Sequence, residues 1–238
     1  MVGQDHGEFA YFGDGTIAGG IITLSETELH HLTRVRRARA GDEIMATDGN
    51  GMVYKSLLNN DGKLEILESL PEFGEPVFHL SVICGNLQGN ASRDVVSFAV
   101  QMGVRELWWV KMARSQEIFS ENKVEKLQRV AIQATKQTGR ARLMNIRISD
   151  SLDYALREHQ NSTLWVAHPE LDTDEASYVL SSPESHCLIV GPEGGFADPE
   201  FEVLKHKANV FRLGNRRLRS ETAVVAGLTF LLGELEAL

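Results

Sequence analysis

Cysteine is scarce in this chain of 238 residues: only Cys84 and Cys187 occur, too few for a scaffold built on disulfides. Each lies inside an apolar, strand-like run, the usual setting of a buried reduced thiol rather than of a nucleophile or a metal ligand. The eight histidines are scattered without the Cys/His spacing of a zinc site, so no metal is expected. No stretch approaches the roughly 18 uninterrupted apolar residues of a membrane span. The start, Met1 to Ala10, lacks the basic and apolar regions of a secretory signal. The expected location is therefore cytoplasmic, with no membrane partner, and the sequons at Asn90 and Asn161 carry no glycosylation meaning. An excess of positive charge is also missing. A net charge of −9 excludes indiscriminate coating of nucleic acid, although local basic patches can still bind RNA.

What is present is an ordinary globular composition, 42% hydrophobic and 24% charged, with room for one large domain or two modest ones. From Phe9 to about Glu72 the pattern is short strands and turns. Asp48-Gly49-Asn50-Gly51 and Asn59-Asn60-Asp61-Gly62 are hairpin signals, and closely spaced strands of this kind suggest a small barrel. One helix is expected to start at Ser25, with Glu28 completing a capping box. Pro71, Gly74 and Pro76 then punctuate the chain, placing a boundary between a first domain over 1–72 and a second over 78–238.

Beyond that boundary strands and helices alternate, which argues for an α/β domain with a parallel sheet. Strands are expected over 79–87, 106–112, 145–148, 163–167, 186–190 and 209–213. Helices are expected over 92–102, 121–138, 152–159, 199–207 and 220–235, with Gly139 capping the second of them. The last helix is apolar nearly all round (Val224, Val225, Leu228, Phe230, Leu231, Leu232), as deep burial or a subunit interface would require.

Two short motifs near the C-terminus stand out, Gly-Pro-Glu-Gly-Gly-Phe at 191–196 and Leu-Gly-Asn-Arg-Arg-Leu-Arg-Ser-Glu-Thr-Ala at 213–223. Each follows a strand-like run and precedes a helix, so both are loops at the C-terminal ends of strands, where open α/β sheets bind ligands. Glycine permits sharp bends and close backbone approach to a ligand; a Gly-rich turn by itself can equally be a simple chain reversal. In the second loop Arg216, Arg217, Arg219 and Glu221 concentrate charge beside Gly214.

Three basic clusters accompany these loops: His30, His31, Arg34, Arg36, Arg37 and Arg39; Lys126, Arg129, Lys136, Arg140 and Arg142; and Arg212, Arg216, Arg217 and Arg219. Such clusters are either solvated faces or phosphate patches, which fix register on RNA without reading its sequence. The dinucleotide-binding fingerprint of a dehydrogenase, which belongs after the first strand, is not supplied by Asn86-Leu87-Gln88-Gly89.

In their order and residues the motifs resemble those of the RsmE family of knotted-fold (SPOUT) methyltransferases. His31, Leu32, Arg34, Val35, Arg37, Gly41, Asp48 and Gly49 match the family's N-terminal signature. Arg114 and Ser115 match a central block, as do Gln137, Gly139 and Arg140, then His168 and Pro169, and finally the two C-terminal loops. The resemblance implies an N-terminal PUA-like RNA-binding β-barrel and a C-terminal SPOUT domain with a deep trefoil knot. It also implies a homodimer that uses S-adenosylmethionine to methylate N3 of a uridine in small-subunit (16S) ribosomal RNA, free or in the assembled subunit.

On that reading His168, Gly191, Gly195, Leu213, Gly214 and Leu218 contact the cofactor. Arg34, Arg37, Arg114, Gln137, Arg140 and Glu193 face RNA, with Glu193 either touching substrate or bracing its loop. Arg219 stabilises charge developing on the uracil carbonyls, and Glu221 orients it or accepts the N3 proton. Glu221 also has a purely structural explanation, as a carboxylate in the first turn of a helix capped by Ser220.

The chain departs from the family pattern at Phe98, where a Lys is usual, and at Gln101, Trp109 and Met144; Gln88 and Ala91 lie where basic residues are common. Two other functions are compatible with the sequence. One is a knotted-fold methyltransferase for another RNA atom; the other is a ribosome-assembly factor that binds RNA without catalysis.

Overall fold

The computed structural model describes residues 9–13, 15–168 and 184–236, so Pro169 of the His168-Pro169 pair lies outside the described residues. The chain separates into two compact units. The first takes in the chain up to Glu75 together with Ile132–Leu143, and the second the remainder, Pro76–Ala131 and Met144–Leu238.

The first unit carries strands β1 (Ala10–Tyr11), β2 (Thr16–Ala18), β3 (Ile21–Thr23), β4 (Glu43–Thr47), β5 (Met52–Leu58) and β6 (Leu64–Pro71). They form an open half-barrel sheet in the order β1-β4-β5-β6-β3-β2, antiparallel except where β1 runs beside β4. Both hairpin turns use one device. Asp48 Oδ1 accepts the N–H groups of Asn50 (2.7 Å) and Met52 (3.0 Å), and Asn59 Oδ1 those of Asp61 (3.0 Å) and Lys63 (2.9 Å). A side-chain acceptor at the turn's first residue thus replaces a backbone one. Phe12, Ile22, Leu32, Ile44, Leu58 and Leu64 belong to the unit's buried apolar cluster.

Helix α1 (Glu26–His30) begins where expected, with Ser25 Oγ accepting the Glu28 N–H at 3.3 Å, and continues through a π-helical turn over His31–Val35. The reciprocal half of the capping box is not made. Glu28 instead accepts the Tyr11 N–H (3.1 Å) and pairs with Lys136 (2.8 Å). Lys136 is 2% exposed, and its Nζ also lies 3.3 Å from His31 Nδ1. A similar pair joins Arg140 Nη2 to Glu75 at 2.6 Å, with side chains 3% and 0% exposed; Glu75 also accepts the Arg142 N–H at 2.8 Å.

These contacts correct the expectation that Arg140 faces RNA, and they take Lys136, of the same basic cluster, out of both a solvated face and a phosphate patch. Both are interior cations, neutralised within the first unit. Leaving one partner of a buried pair behind costs about 3–5 kcal/mol. Arg140→Ala is therefore expected to lower the unfolding free energy by roughly that amount in urea melts, whereas Gln137→Ala, at an exposed position, is expected to stay within about 0.5 kcal/mol of the parent.

The second unit is an α/β domain. Its strands are β7 (His79–Gly85), β8 (Glu106–Val110), β9 (Asn145–Ser149), β10 (Thr163–Ala167), β11 (Ser185–Val190) and β12 (Asn209–Phe211). They make one parallel sheet in the order β12-β10-β11-β7-β8-β9. Its helices are α2 (Ala91–Gln101), α3 (Glu121–Thr138), α4 (Leu152–Glu158), α5 (Asp198–Lys207) and α6 (Ser220–Glu236), with the end of α3, from Ile132, grouping with the first unit.

Gly139 ends α3 as expected, at φ +69°, and a Cβ there would stand 2.7 Å from Phe9 Cζ. The central strands are apolar on both faces, as a covered parallel sheet demands; β7 reads Leu-Ser-Val-Ile-Cys-Gly with every one of these residues buried. Trp109 and Met144, two of the departures from the family pattern, are fully buried core residues. On α6, Val224, Leu228 and Leu231 are buried, and Gly227 lets the helix pack against Leu188 of β11.

Cys84 and Cys187 are both free and buried, and burial pushes both thiols well above their ordinary range. Neither is expected to react with a thiol reagent at pH 8 while the protein is folded, and both should react once it is unfolded in guanidinium. Rapid labelling of the native protein would contradict their placement in the sheet.

Candidate active site

Because every strand of the second sheet points the same way, the loops after β7, β8, β10, β11 and β12 all leave one edge. The sheet also has a switch point there. β7 is followed by β8 and β9 on one side, while β11 lies with β10 and β12 on the other. Such a switch point opens the crevice in which open α/β sheets hold ligands.

Two loops meet at this point. A Cβ at Gly85, the last residue of β7, would stand 2.5 Å from Pro192, so glycine is required for the Gly-Pro-Glu loop to lie against the end of that strand. Glu193 then ties the region together. Its carboxylate accepts the Gln88 N–H at 2.8 Å, and its carbonyl accepts Arg217 Nη2 at 3.2 Å. Glu193 thus joins the loops after β7, β11 and β12 while remaining exposed. Arg114, expected to face RNA, also holds a loop: Nη1 donates to Gly194 O at 3.2 Å, and Nη2 lies 3.6 Å from Asp198. Its side chain is nevertheless 50% exposed. Glu200 performs a parallel task at the start of α5, accepting the Ala197 N–H at 2.8 Å and the Ala113 N–H at 2.7 Å.

The glycines of the two motifs differ in purpose. Gly191 is buried, and a Cβ there would meet the Gly195 carbonyl carbon and the Phe196 nitrogen at 3.2 Å, so its bareness serves the closure of its own loop. Among the described residues, nothing lies within 4 Å of where a Cβ would stand at Gly195 (φ +72°), and at Gly214 (φ +96°) only the Arg216 guanidinium comes near, at 3.9 Å. Both present bare backbone to a space that a ligand could fill. Leu213 and Leu218, half-buried, flank Gly214. His168, at the end of β10, donates its N–H to Phe211 O at 3.0 Å and stacks its ring on Phe201 at 3.7 Å between centroids. An apolar and aromatic wall beside exposed backbone fits a flat heteroaromatic ring with a polar tail.

Arg219 and Glu221 come together as expected, with Nη1 3.8 Å from Oε1; the arginine is 86% exposed and the carboxylate 19%. The expected cap shifts by one residue. The Ala223 N–H donates to the Arg219 carbonyl at 2.8 Å, so the helix starts from Arg219 and Ser220 is already within it. The rise of the Cys84 thiol comes first from its burial, and the negative charges of Glu193 and Glu221 add to it. Arg34 and Arg37 are exposed in the first unit, with Arg37 in the left-handed region at φ +60°. Among the described residues no group of His, Cys, Asp and Glu could hold a metal ion, and no helix is long and apolar enough to cross a membrane.

Several connections were invisible to sequence reading: the Gln88–Glu193 bond, the Glu200 bridge to Ala113, and the His168–Phe201 stack. Only the last has a local signal, an aromatic ring on the helix that follows the glycine loop.

A family model described as an RNA methyltransferase domain matches residues 74–232, and a model described as an RNA methyltransferase PUA domain matches residues 24–66. The chain is 27% identical over 231 residues to a ribosomal RNA small subunit methyltransferase E of Synechocystis sp., covering 91% of this chain and 74% of that one. It is 25% identical to ribosomal RNA small subunit methyltransferase E 2 of Borreliella burgdorferi, covering 94% and 96%. A crystal structure of a ribosomal RNA small subunit methyltransferase E from Neisseria gonorrhoeae, bound to S-adenosyl methionine, has the same fold, with a TM-score of 0.80 at 21% identity over 95% of this chain and 97% of that one.

Proposed function

The chain belongs to the RNA methyltransferase family, and from that premise we propose that it transfers a methyl group from S-adenosylmethionine to N3 of a uridine in small-subunit ribosomal RNA. The observation that carries this reading is the linkage of the two glycine loops through the Arg217–Glu193 hydrogen bond at 3.2 Å, on the sheet edge where Glu193 also holds the loop after β7, with Arg219 and Glu221 on the second loop. Gly195, Gly214, Leu213, Leu218 and His168 would hold the cofactor, with Gly191 shaping the loop from behind. When bound, the cofactor supplies an activated methyl group on its sulfonium, so the protein's task is positioning and the management of one proton.

The uridine N3 carries a proton that must leave before or during attack. Glu221, mostly shielded from solvent, accepts it, and the accessible guanidinium of Arg219 offsets the charge that builds on the flanking carbonyl oxygens. Arg34 and Arg37 hold phosphates without reading bases, and the exposed face of Arg114 adds to that work. Gln137, exposed on α3, is kept as an RNA contact.

The half-buried apolar residues along α6, Val225, Leu232 and Leu235, support a homodimer, with which we associate the deep trefoil knot and a cytoplasmic location. Transfer of labelled methyl from S-adenosylmethionine to small ribosomal subunits lacking the modification tests the function: incorporation that depends on this protein is expected. Cofactor binding without incorporation into any ribosomal RNA would point to another RNA substrate, and the absence of cofactor binding to a non-catalytic assembly factor.

A further inference from the structure

We propose that Gln88 and Gln116 form a base-reading element at the rim of the active site, recognising the edge of an unpaired nucleotide that flanks the methylated one. Gln88 lies in the loop after β7 and Gln116 in the loop after β8, at the sheet edge that carries the glycine loops. Gln88 Nε2 donates to Gln116 Oε1 at 2.8 Å while both residues are exposed. The pair is held from behind at three points. The Gln88 N–H is bound by the Glu193 carboxylate at 2.8 Å, Asn86 Nδ2 donates to the Glu117 carbonyl at 3.1 Å, and the Asn86 N–H donates to Val110 O at 3.0 Å. The backbone that carries Gln88 is thus fixed, and the two side-chain amides are paired with each other.

The chemistry left over selects the ligand. One bond between two primary amides leaves the Gln88 carbonyl oxygen as an acceptor, with one N–H of Gln88 and two of Gln116 as donors. A neighbouring acceptor and donor set matches the edge of a nucleobase, which unpaired RNA exposes for this kind of readout. A phosphate is disfavoured. The carboxylate of Glu193 sits against the Gln88 backbone, and of the neighbouring cations Arg114 is turned to Gly194 O (3.2 Å) and Asp198 (3.6 Å) rather than to the glutamine pair. This neutral element specifies, whereas Arg34 and Arg37 anchor.

The inference rests on the reading that the protein acts on RNA, and equilibrium binding to a panel of single-stranded RNAs separates the two. The panel presents each of the four bases at the positions flanking the uridine, with fluorescence anisotropy read at several salt concentrations. The wild-type protein is expected to discriminate among bases at one flanking position by roughly tenfold or more. In Gln88→Ala and Gln116→Ala that discrimination should collapse below about threefold, with the dependence of affinity on salt unchanged, since no ion contact is lost. Binding of S-adenosylmethionine should also be unchanged.

A wild type without flanking-base preference, or variants that keep it, would overturn the inference while leaving the RNA reading intact. A shallower salt dependence in the variants would show a phosphate contact instead, and an equal loss of cofactor affinity would show a mere loop tether. A wild-type protein that bound no RNA would overturn the underlying reading and this inference with it.

Discussion

Replacing Arg219 by alanine is expected to lower kcat for methyl transfer by about 10²- to 10³-fold, the scale on which enzymes lose rate when one donor to a developing oxyanion is removed. The guanidinium is 86% exposed and its one close partner is Glu221 at 3.8 Å, so its removal leaves no buried charge behind and the fold should be undisturbed. Glu221→Gln keeps the size of the side chain and removes its capacity to accept a proton. It should cost about 10²- to 10⁴-fold if the carboxylate is the general base. Should Glu221 serve only to orient Arg219, the glutamine variant would lose much less, because an amide oxygen can still accept a hydrogen bond from the guanidinium. Single-turnover rates with saturating cofactor and RNA distinguish these cases, and an Arg219→Ala enzyme with full activity would remove Arg219 from the chemistry.

The second large effect concerns binding. Gly214→Val is expected to abolish detectable binding of S-adenosylmethionine in calorimetric titration while lowering the thermal midpoint by only a few degrees, as strain confined to an exposed loop would. Gly214 has φ +96°, where a β-branched side chain is strained, and the added atoms would fill the space in front of the bare backbone. Gly195→Val, at φ +72°, should behave alike. Gly191→Val should differ in kind. Its side chain would strike the backbone of Gly195 and Phe196, so the loop itself and the stability of the domain should suffer. Equal cofactor affinity in the Gly214 variant and its parent would move the site elsewhere along the sheet edge.

The parts of this molecule that were legible in its sequence are those governed by neighbours in the chain. The turn over Asp48–Gly51 announces itself because the carboxylate that satisfies the turn belongs to its first residue. The strands of the parallel sheet are visible as unbroken apolar runs, and their alternation with helices gives the sheet direction and hence the edge where the glycine loops gather. Arg140 and Lys136 misled for the opposite reason. Each looks like a member of a local basic cluster, but its partner lies far off in the sequence: Glu75 is 65 positions from Arg140, and Glu28 is 108 positions from Lys136. A local charge pattern cannot distinguish a solvated cation from one neutralised by a distant carboxylate.

The same limit explains Glu193. Its sequence context marks it as part of a ligand loop, but the bond that defines its work comes from Gln88, 105 positions away. The start of α6 shows a subtler difference. Ser220 has the composition of a helix cap, yet the hydrogen bond that begins the helix reaches back to the carbonyl of Arg219. That one-residue shift places the proposed catalytic arginine at the helix entrance, where the backbone turns from loop to helix, with the Glu221 carboxylate 3.8 Å from its guanidinium.

The most direct test of the account is the chemical identity of the product. Small ribosomal subunits lacking the modification, incubated with the protein and isotopically labelled S-adenosylmethionine, would be digested to nucleosides and analysed by mass spectrometry against authentic standards. The account predicts labelled N3-methyluridine and no labelled ribose-methylated nucleoside. Label on a 2′-oxygen, or on any other base atom, would contradict the roles given to Arg219 and Glu221, since neither the N3 proton nor the charge on its neighbouring carbonyls would then be part of the reaction.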